Sequence, residues 1–166
     1  READLVLRLA TGPPDQLVGR RIGPVGFAIY GSEAYLRTCE HPIDPSAVEW
    51  VRWDETWRMI PPERWIDANV APEQVRARIN TSLAHGELLA AGIGVGLTSC
   101  YVGDADRRLQ RATPTMDFGL VLWLLTHEDL KGTARVRALL RFLGDALSAE
   151  RDRFLGGDPA SGSPPN

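Results

Sequence analysis

The stretch LVLWLLTHEDLKGTARVRALLRFLGDAL at residues 120–147 decides the fold class, because it holds two elements of different type in direct succession. Leu120 to Leu125 is an apolar run with the length of a buried strand. Thr133 can then cap a helix, because apolar residues recur after it at helical spacing: Val136, Leu139, Leu140, Leu143 and Leu147. A strand followed at once by an amphipathic helix predicts an α/β protein.

A second strand-helix-strand passage lies upstream of this stretch. Val75 to Ile79 alternates apolar and arginine residues, which predicts a half-buried strand. Residues 80–82 (Asn-Thr-Ser) offer a cap for a helix over Leu83 to Ala91 that stops at Gly92. Gly94 to Val102 is apolar and small, as in a buried strand. This passage repeats the alternation of strand and helix.

The N-terminal half is less regular but carries strand signals. Leu5 to Leu9 predicts a short strand, and the apolar and glycine residues of Leu17 to Tyr30 favour a bent or bulged strand pair. Residues 32–36 read as a short helix capped by a serine, and Val48 to Trp53 as a partly buried strand. Trp57 to Val70 fits no single type. Together the elements predict two α/β lobes between which the chain crosses.

Composition limits the classes of function. The 166 residues are 43% hydrophobic and 25% charged, which is typical of a globular domain, and the net charge is −3. A negative net charge with dispersed arginines creates no strong electrostatic attraction for the phosphates of DNA. We therefore do not expect this chain alone to bind DNA. No apolar run reaches the roughly 20 residues that cross a bilayer, and the first residues are unlike a signal peptide, so we expect a cytoplasmic protein without a membrane partner. The absence of an initial Met suggests a piece of a longer chain.

Three motifs could suggest an enzyme or a cofactor site, and each has a simpler explanation. The GxGxG run at residues 92–96 follows a helix instead of preceding one, which favours helix termination and close packing over phosphate binding. The three histidines form no HExxH pattern, so we expect neither a metal nor a cofactor. Ser99, His127 and Asp104 could be imagined as a hydrolase triad, but there is no GxSxG elbow. We therefore expect no catalytic residues.

Three stretches resemble one family, the effector domains of LysR-type bacterial transcription regulators, in order and spacing. They are READLVLRLATGPPDQLVGRRIGPVGFAIYGSEAYL at residues 1–36, NTSLAHGELLAAGIGVGLTSCYVGDADRRLQRATP at 80–114 and LWLLTHEDLKGTARVRALLRFLGDAL at 122–147. The resemblance implies a two-lobe fold of the periplasmic-binding-protein type (type 2), not an enzyme. Residues 1–26 and 120–154 would form a first lobe that is incomplete here, residues 27–119 a second lobe, and residues 155–166 a disordered tail.

The same resemblance implies how the strands are distributed. The strand at 120–125 would return the chain to the first lobe and share a sheet with the strand at 5–9. The strands at Val75 to Ile79 and Gly94 to Val102 would share another sheet. Finding all four in one continuous sheet would refute the two-lobe interpretation.

The resemblance also points to a ligand site. A helix start presents unpaired N–H groups and a partial positive charge, so Asn80, Thr81 and Ser82 suit a carboxylate or another anion, although a cap with no ligand is the simpler reading. In the family, effectors lie in the cleft between the lobes. This helix start and the strand at Leu97, Thr98 and Ser99 would form the second-lobe wall. Arg8 and Leu9, after the first strand, would face it from the first lobe.

Function follows as an expectation. The chain would be the effector-sensing domain of a regulator that binds a small, anionic metabolite and contacts DNA only through a helix-turn-helix domain absent here. The full-length regulator would be a homodimer or homotetramer, with the helix Leu83 to Ala91 contributing to the contact, and this piece alone a monomer or an aberrant assembly. The alternatives are a solute-binding protein of a transport system or a serine hydrolase. Some family members sense peroxide through a thiol pair, but ordinary packing roles are favoured for Cys39 and Cys100.

Overall fold

A computed structural model describes residues 4–13 and 16–157 of the chain. The chain divides into two compact units: unit 1 comprises Arg1–Gly26 and Gly119–Asn166, and unit 2 comprises Phe27–Phe118. No helix among the described residues is long and apolar enough to span a membrane.

Strands and helices alternate along most of the chain, as the α/β prediction required. The strands are β1 (Leu5–Ala10), β2 (Leu17–Ser32), β3 (Trp50–Trp53), β4 (Val75–Ile79), β5 (Gly96–Ser99), β6 (Leu109–Arg111) and β7 (Met116–His127). The helices are α1 (Glu33–Leu36), α2 (Pro61–Asn69), α3 (Ser82–Ala90), α4 (Cys100–Gly103), α5 (Ala134–Ala149) and α6 (Arg151–Leu155).

The sheet order confirms one half of the strand prediction and contradicts the other. β1 pairs antiparallel with β7, with Leu7 opposite Leu124, so residues 5–9 and 120–125 do share a sheet. That sheet has the order β1-β7-β2-β5, with β6 also paired to β2, whereas β4 pairs with β3 in a separate two-stranded sheet. The prediction that β4 and β5 share a sheet was therefore wrong. β5 joins the larger sheet because it pairs with β2.

Residues 17–30 were expected to form a bent strand pair but form one continuous strand, the sixteen-residue β2. Gly19 explains why glycine does not break this strand. A Cβ atom at residue 19 would overlap the carbonyl oxygen of Leu124 in β7 and approach the Leu125 Cα to 2.9 Å. Glycine here allows close approach of two strands instead of marking a turn.

Helix α5 covers unit 1, but its apolar stripe is only partly buried. Val136 is buried, and Leu140, Leu143 and Leu147 are half-buried. Leu139, predicted on the same stripe, is 45% exposed. Thr133 precedes the helix as expected, yet its side chain makes no capping hydrogen bond, and its carbonyl accepts one from the Arg137 N–H at 3.0 Å. Leu155, the first residue of the tail predicted for 155–166, is the last residue of α6, and residues 158–166 lie outside the described residues.

Unit 2 places helices against opposite faces of β3. Arg52 points toward α2, where its guanidinium donates to the buried Glu63 carboxylate at 2.7 and 2.9 Å and to Asp67 at 2.8 Å. Val51 and Trp53, on the other face, pack in the core that includes α3. The stretch 57–70, which the sequence left unassigned, supplies α2. The predicted strand 94–102 is shorter than expected, because Cys100 already opens α4.

Gly96 fixes the distance between α3 and β5. A Cβ atom at residue 96 would overlap the His85 ring nitrogen Nε2, approach its Cε1 to 2.9 Å and the Leu89 Cδ2 to 3.1 Å. Only glycine therefore allows the imidazole to lie on the strand. His85 in turn lies 3.2 Å from the Val51 carbonyl oxygen, which ties the helix to β3 as well.

Replacing Arg52 with Met should destabilise the chain by about 3–5 kcal/mol, because it leaves the Glu63 carboxylate, 1% exposed, without its partner. Burial already raises the pKa of this carboxyl above its usual range. Urea unfolding measures the change. The double variant Arg52→Met with Glu63→Leu is the control and should recover most of the lost stability. Equal losses in both variants would mean that apolar packing, not the ion pair, is what Arg52 contributes.

Gly96→Ala should cost about 1–3 kcal/mol of unfolding free energy, since the added methyl group overlaps a buried ring that has no room to move. Gly132→Ala is the matched control, because a Cβ atom there has no neighbour within 4 Å. Both are measured by urea unfolding. Stability equal to the wild type in Gly96→Ala would show that His85 is not held against β5.

Candidate functional site

β3, β4 and β5 run in the same direction in unit 2, although β5 is paired in the larger sheet. β3 and β4 are parallel. Val95, just before β5, joins β3 by a parallel bridge in which the Val51 N–H donates to the Val95 carbonyl oxygen at 2.8 Å. The chain leaves the strands at Asp54, at residues 80–82 and at Ser99, which together we name the carboxyl edge. Ligands of open α/β sheets bind outside such carboxyl ends.

Helix α3 begins at this edge with free donors. Thr81 is the N-cap: its hydroxyl accepts from the Ala84 N–H at 3.2 Å, and its carbonyl accepts from the His85 N–H at 3.1 Å. Ser82 is the first helical residue, one position earlier than the sequence suggested. Within residues 4–13 and 16–157, no hydrogen-bond partner meets the N–H groups of Ser82 and Leu83 or the Ser82 hydroxyl. The exposed helix start therefore offers donors and a partial positive charge to an anion.

Two further hydroxyls lie at the end of β5. Thr98 stands opposite Ala28, and Gly96 opposite Tyr30, in the antiparallel pairing with β2. Residues two apart share a face of a strand, so Thr98 lies on the same face as Gly96, the face that α3 covers, and closer to the carboxyl edge. Thr98 is 8% and Ser99 7% exposed. Neither hydroxyl has a hydrogen-bond partner in the part of the chain that the structure describes.

The structure thus brings together part of the set predicted from the sequence. Asn80, Thr81, Ser82, Thr98 and Ser99 all belong to the carboxyl edge or the strand end that adjoins it.

Other members of the predicted set are placed differently. Leu97, 2% exposed, lies on the opposite face of β5 from Thr98 and offers only its backbone. Arg8 and Leu9 belong to unit 1, where both are exposed and lie within β1, not after the strand as expected.

Sequence reasoning missed the aromatic residues of this edge. The Trp53 ring lies 5.5 Å from the His85 ring and 5.4 Å from the Trp57 ring, measured between centroids. Trp53 ends β3, and Trp57 follows in a hydrogen-bonded 3-10 turn. The aromatic residue at the carboxyl end of the predicted strand 48–53 could have indicated this edge. Because residues 57–70 had no predicted structure, Trp57 could not be placed near that strand end.

The charge of the edge does not come from histidine. Burial lowers the pKa of His85 to about 4, so its imidazole is neutral at neutral pH. The Asp54 carboxylate is occupied by the next turn, where it accepts from the Thr56 N–H at 3.0 Å. The helix end is therefore the feature of this edge that favours an anion.

The motifs set aside in the sequence have structural roles. Gly92 ends α3 in the left-handed conformation, with φ at 73°. The Asp104 carboxylate accepts from the Tyr30 hydroxyl at 2.7 Å and pairs with Arg111, so it is not free to orient a catalytic histidine. Burial raises the pKa of Tyr30, and the hydrogen bond to Asp104 raises it further, which keeps this phenol neutral.

Neither a metal cluster nor a disulfide is present in the described part of the chain. No group of three His, Cys, Asp or Glu residues is arranged to hold a metal ion there. Cys39 is a half-buried and Cys100 a buried free thiol, and Cys100 Sγ lies 3.9 Å from the Thr115 hydroxyl.

A surface groove of about 560 Å³ lies elsewhere in unit 2, at the end of α2. Asp67 and Glu73 line it, and a helix C-terminus adds a partial negative charge. An anion is therefore disfavoured in this groove, and we do not assign the site to it.

Comparisons with known proteins agree on one family. Residues 1–148 match the family model of the LysR substrate binding domain. The structure is similar to the effector domain of the transcriptional regulator AmpR of Pseudomonas aeruginosa, with a TM-score of 0.72 and 19% identity, covering 89% of this chain and 73% of that chain. It is also similar to the regulatory domain of CrgA, a LysR-type transcriptional regulator from Neisseria meningitidis. The TM-score is 0.66 at 18% identity, and the match covers 88% of this chain and 76% of that chain.

A third structure supports the same fold. The AmpR effector binding domain from Citrobacter freundii gives a TM-score of 0.69 and 16% identity, covering 88% of this chain and 75% of that chain. At these identities the likeness establishes the fold, which is the periplasmic-binding-protein-like type 2 fold. A comparison with curated protein sequences found no match.

Acidification should destabilise the chain through His85. As the pH falls through 6.5, the unfolded chain protonates this side chain, whereas the folded chain does not until about pH 4. The unfolding free energy therefore declines between pH 6.5 and 4, and this residue accounts for about 3 kcal/mol of the decline. Urea unfolding of the wild type and of His85→Gln across this range measures it.

The comparison at pH 8, where the imidazole is neutral in both states, gives the packing cost of the substitution alone. The pH dependence of His85→Gln should be shallower than that of the wild type. Parallel curves for the two proteins would show that His85 takes up its proton equally well when folded.

Proposed function

The chain belongs to the family of LysR substrate binding domains, and on that basis we propose that it is the effector-sensing domain of a LysR-type transcription regulator, with a small anionic metabolite as effector. The observation that carries the proposal is the carboxyl edge of unit 2. There, among the residues that the structure describes, the N–H groups of Ser82 and Leu83 and the Ser82 hydroxyl have no hydrogen-bond partner. The sensing role rests on the family, and the anionic character of the effector on this geometry.

The residue types at the edge suit a carboxylate better than a bulky polyanion. Backbone N–H groups at a helix start bind anions by directed hydrogen bonds and by the helix dipole. The hydroxyls of Ser82 and Thr98, which have no partner within residues 4–13 and 16–157, add donors without adding charge. The net charge of −3 opposes highly charged ligands at long range. A singly or doubly charged small carboxylate fits this balance.

The rest of the signalling scheme follows from the family and forms part of the same proposal. The effector lies between the two lobes, with Arg8 and Leu9 contributing from the first. Effector binding shifts the populations of the different lobe arrangements. This shift changes the arrangement of the DNA-binding domains, which are formed by a separate helix-turn-helix segment. The protein carries out no chemical reaction, needs no cofactor or metal, and works in the cytoplasm.

Association is proposed to involve α3. The full-length regulator forms a homodimer or homotetramer. Leu83, in the first turn of α3, is 76% exposed, which suits a residue that another subunit covers.

Ser82→Ala should weaken carboxylate binding by a few-fold if the lost hydrogen bond is neutral, and by up to about a hundred-fold if the acceptor is charged. Its stability should not change, because Thr81 and not Ser82 caps the helix. Calorimetric titration of the full-length protein with a panel of small carboxylates measures the affinity.

Thr81→Ala is the matched control for stability. It removes the cap and should cost about 1 kcal/mol of unfolding free energy. Unchanged carboxylate affinity in both Thr81→Ala and Ser82→Ala, with both proteins folded, would place the effector elsewhere and leave these residues as parts of a helix start.

A further inference from the structure

Strand β1 lies at an uncovered edge of the larger sheet. It is the first strand in the order β1-β7-β2-β5, and among the described residues only β7 pairs with it. Val6 and Leu7, on opposite faces of the strand, are 39% and 51% exposed, and Leu9 is exposed as well. β1 contains neither proline nor lysine, which commonly protect an edge strand from further pairing. Its outward backbone groups and apolar side chains therefore form a template for another strand.

An exposed stripe of α5 begins beside this edge. Four exposed residues recur at helical spacing on one flank of the helix: Arg135, Leu139, Phe142 and Ala146. The Arg135 guanidinium donates to the Asp4 carboxylate at 2.8 Å, and Asp4 directly precedes β1. Phe142, in the middle of the stripe, is 70% exposed. The strand edge and the apolar part of the helix flank therefore adjoin.

A different flank of α5 is held against β2. The Arg20 guanidinium donates to the Asp145 carboxylate at 2.6 Å. Gly144 leaves room for this arginine, because a Cβ atom at residue 144 would approach its Nη1 to 2.8 Å. Since β7 separates β1 from β2 in the sheet, these contacts leave the stripe with Leu139 and Phe142 on the β1 side of the helix.

We propose that this surface is a contact between two copies of the chain, in which β1 pairs antiparallel with β1 of the second copy and the two α5 stripes pack together. A two-fold axis perpendicular to the sheet relates the copies, so the sheet continues across the contact and both α5 helices lie on the same face. Each copy supplies a strand edge and an apolar helix flank, and the other copy supplies the complement to both. This contact is separate from the one proposed for α3 and needs no effector.

The charges of β1 favour one register of this pairing. When Val6 lies opposite Val6 of the second copy, Leu5 lies opposite Leu7, and Arg8 lies opposite Asp4. The two-fold symmetry gives the Arg8 and Asp4 pair twice. Opposite charges that face each other across antiparallel strands stabilise the pairing, whereas like charges destabilise it. A second copy therefore matches the edge in charge as well as in apolar character.

Sedimentation velocity of the full chain should show a dimer that dissociates on dilution. Leu7→Lys and Phe142→Glu should each raise the dimer dissociation constant roughly tenfold or more, because each brings a charge into the apolar contact. Both residues are exposed in the single chain, so both variants should unfold in urea like the wild type. Met59→Lys is the matched control, since Met59 is 71% exposed in unit 2 and should leave the dimer unchanged.

A charge exchange tests the register. Arg8→Glu places carboxylates opposite each other and Asp4→Arg places guanidinium groups opposite each other, so each variant alone should dimerise more weakly than the wild type. An equimolar mixture of the two variants restores opposite charges in a heterodimer and should recover the dimer.

Three outcomes would overturn the contact. One is a chain that stays monomeric at concentrations up to about 0.1 mM. Another is a dimer that neither Leu7→Lys nor Phe142→Glu weakens, or that Leu83→Lys in α3 disrupts while Leu7→Lys does not. The third is a mixture of Arg8→Glu and Asp4→Arg that dimerises no better than either variant alone, which would refute the antiparallel pairing of β1.

Discussion

The contact between the buried His85 imidazole and Gly96 is the constraint on which the candidate site depends. The ring occupies the space that a side chain on β5 would need, and it lies 3.2 Å from the Val51 carbonyl oxygen of β3. Because one residue thereby positions α3 against two strands, the start of the helix lies at the edge where those strands end. A neutral imidazole in an apolar interior maintains this arrangement only above the pH at which it takes up a proton.

β3 connects the two kinds of polar chemistry in unit 2. On the α2 face, its residue Arg52 forms ion pairs with Glu63 and Asp67. The next residue, Trp53, lies on the α3 face, where it packs against the core cluster and the His85 ring. Ion pairs therefore hold one side of the strand together, while helix N–H groups and hydroxyls remain available on the other. An anion site built this way needs no cationic side chain.

The sequence predicted the features that depend on local chemistry. A hydroxyl before an apolar helical run located the start of α3, and the alternation of Val75 to Ile79 located β4 with its buried face. What it missed depends on contacts distant in the chain. Gly19 was expected to bend or bulge the strand but is a site where β7 comes close. The membership of β5 in the larger sheet follows from its pairing with β2, and the exposure of Trp57 depends on a turn that no periodicity reveals.

We propose that the start of α3, and not the groove at the end of α2, binds the effector's carboxylate. Backbone amide NMR of the isotopically labelled full chain during a titration with sodium acetate tests it most directly, because every amide of the unit reports at once. If the carboxylate binds there, the largest saturable shifts should occur at Ser82, Leu83 and Ser99. The largest shifts at Asn69 to Gln74, around the groove at the end of α2, with none at Ser82, would contradict it.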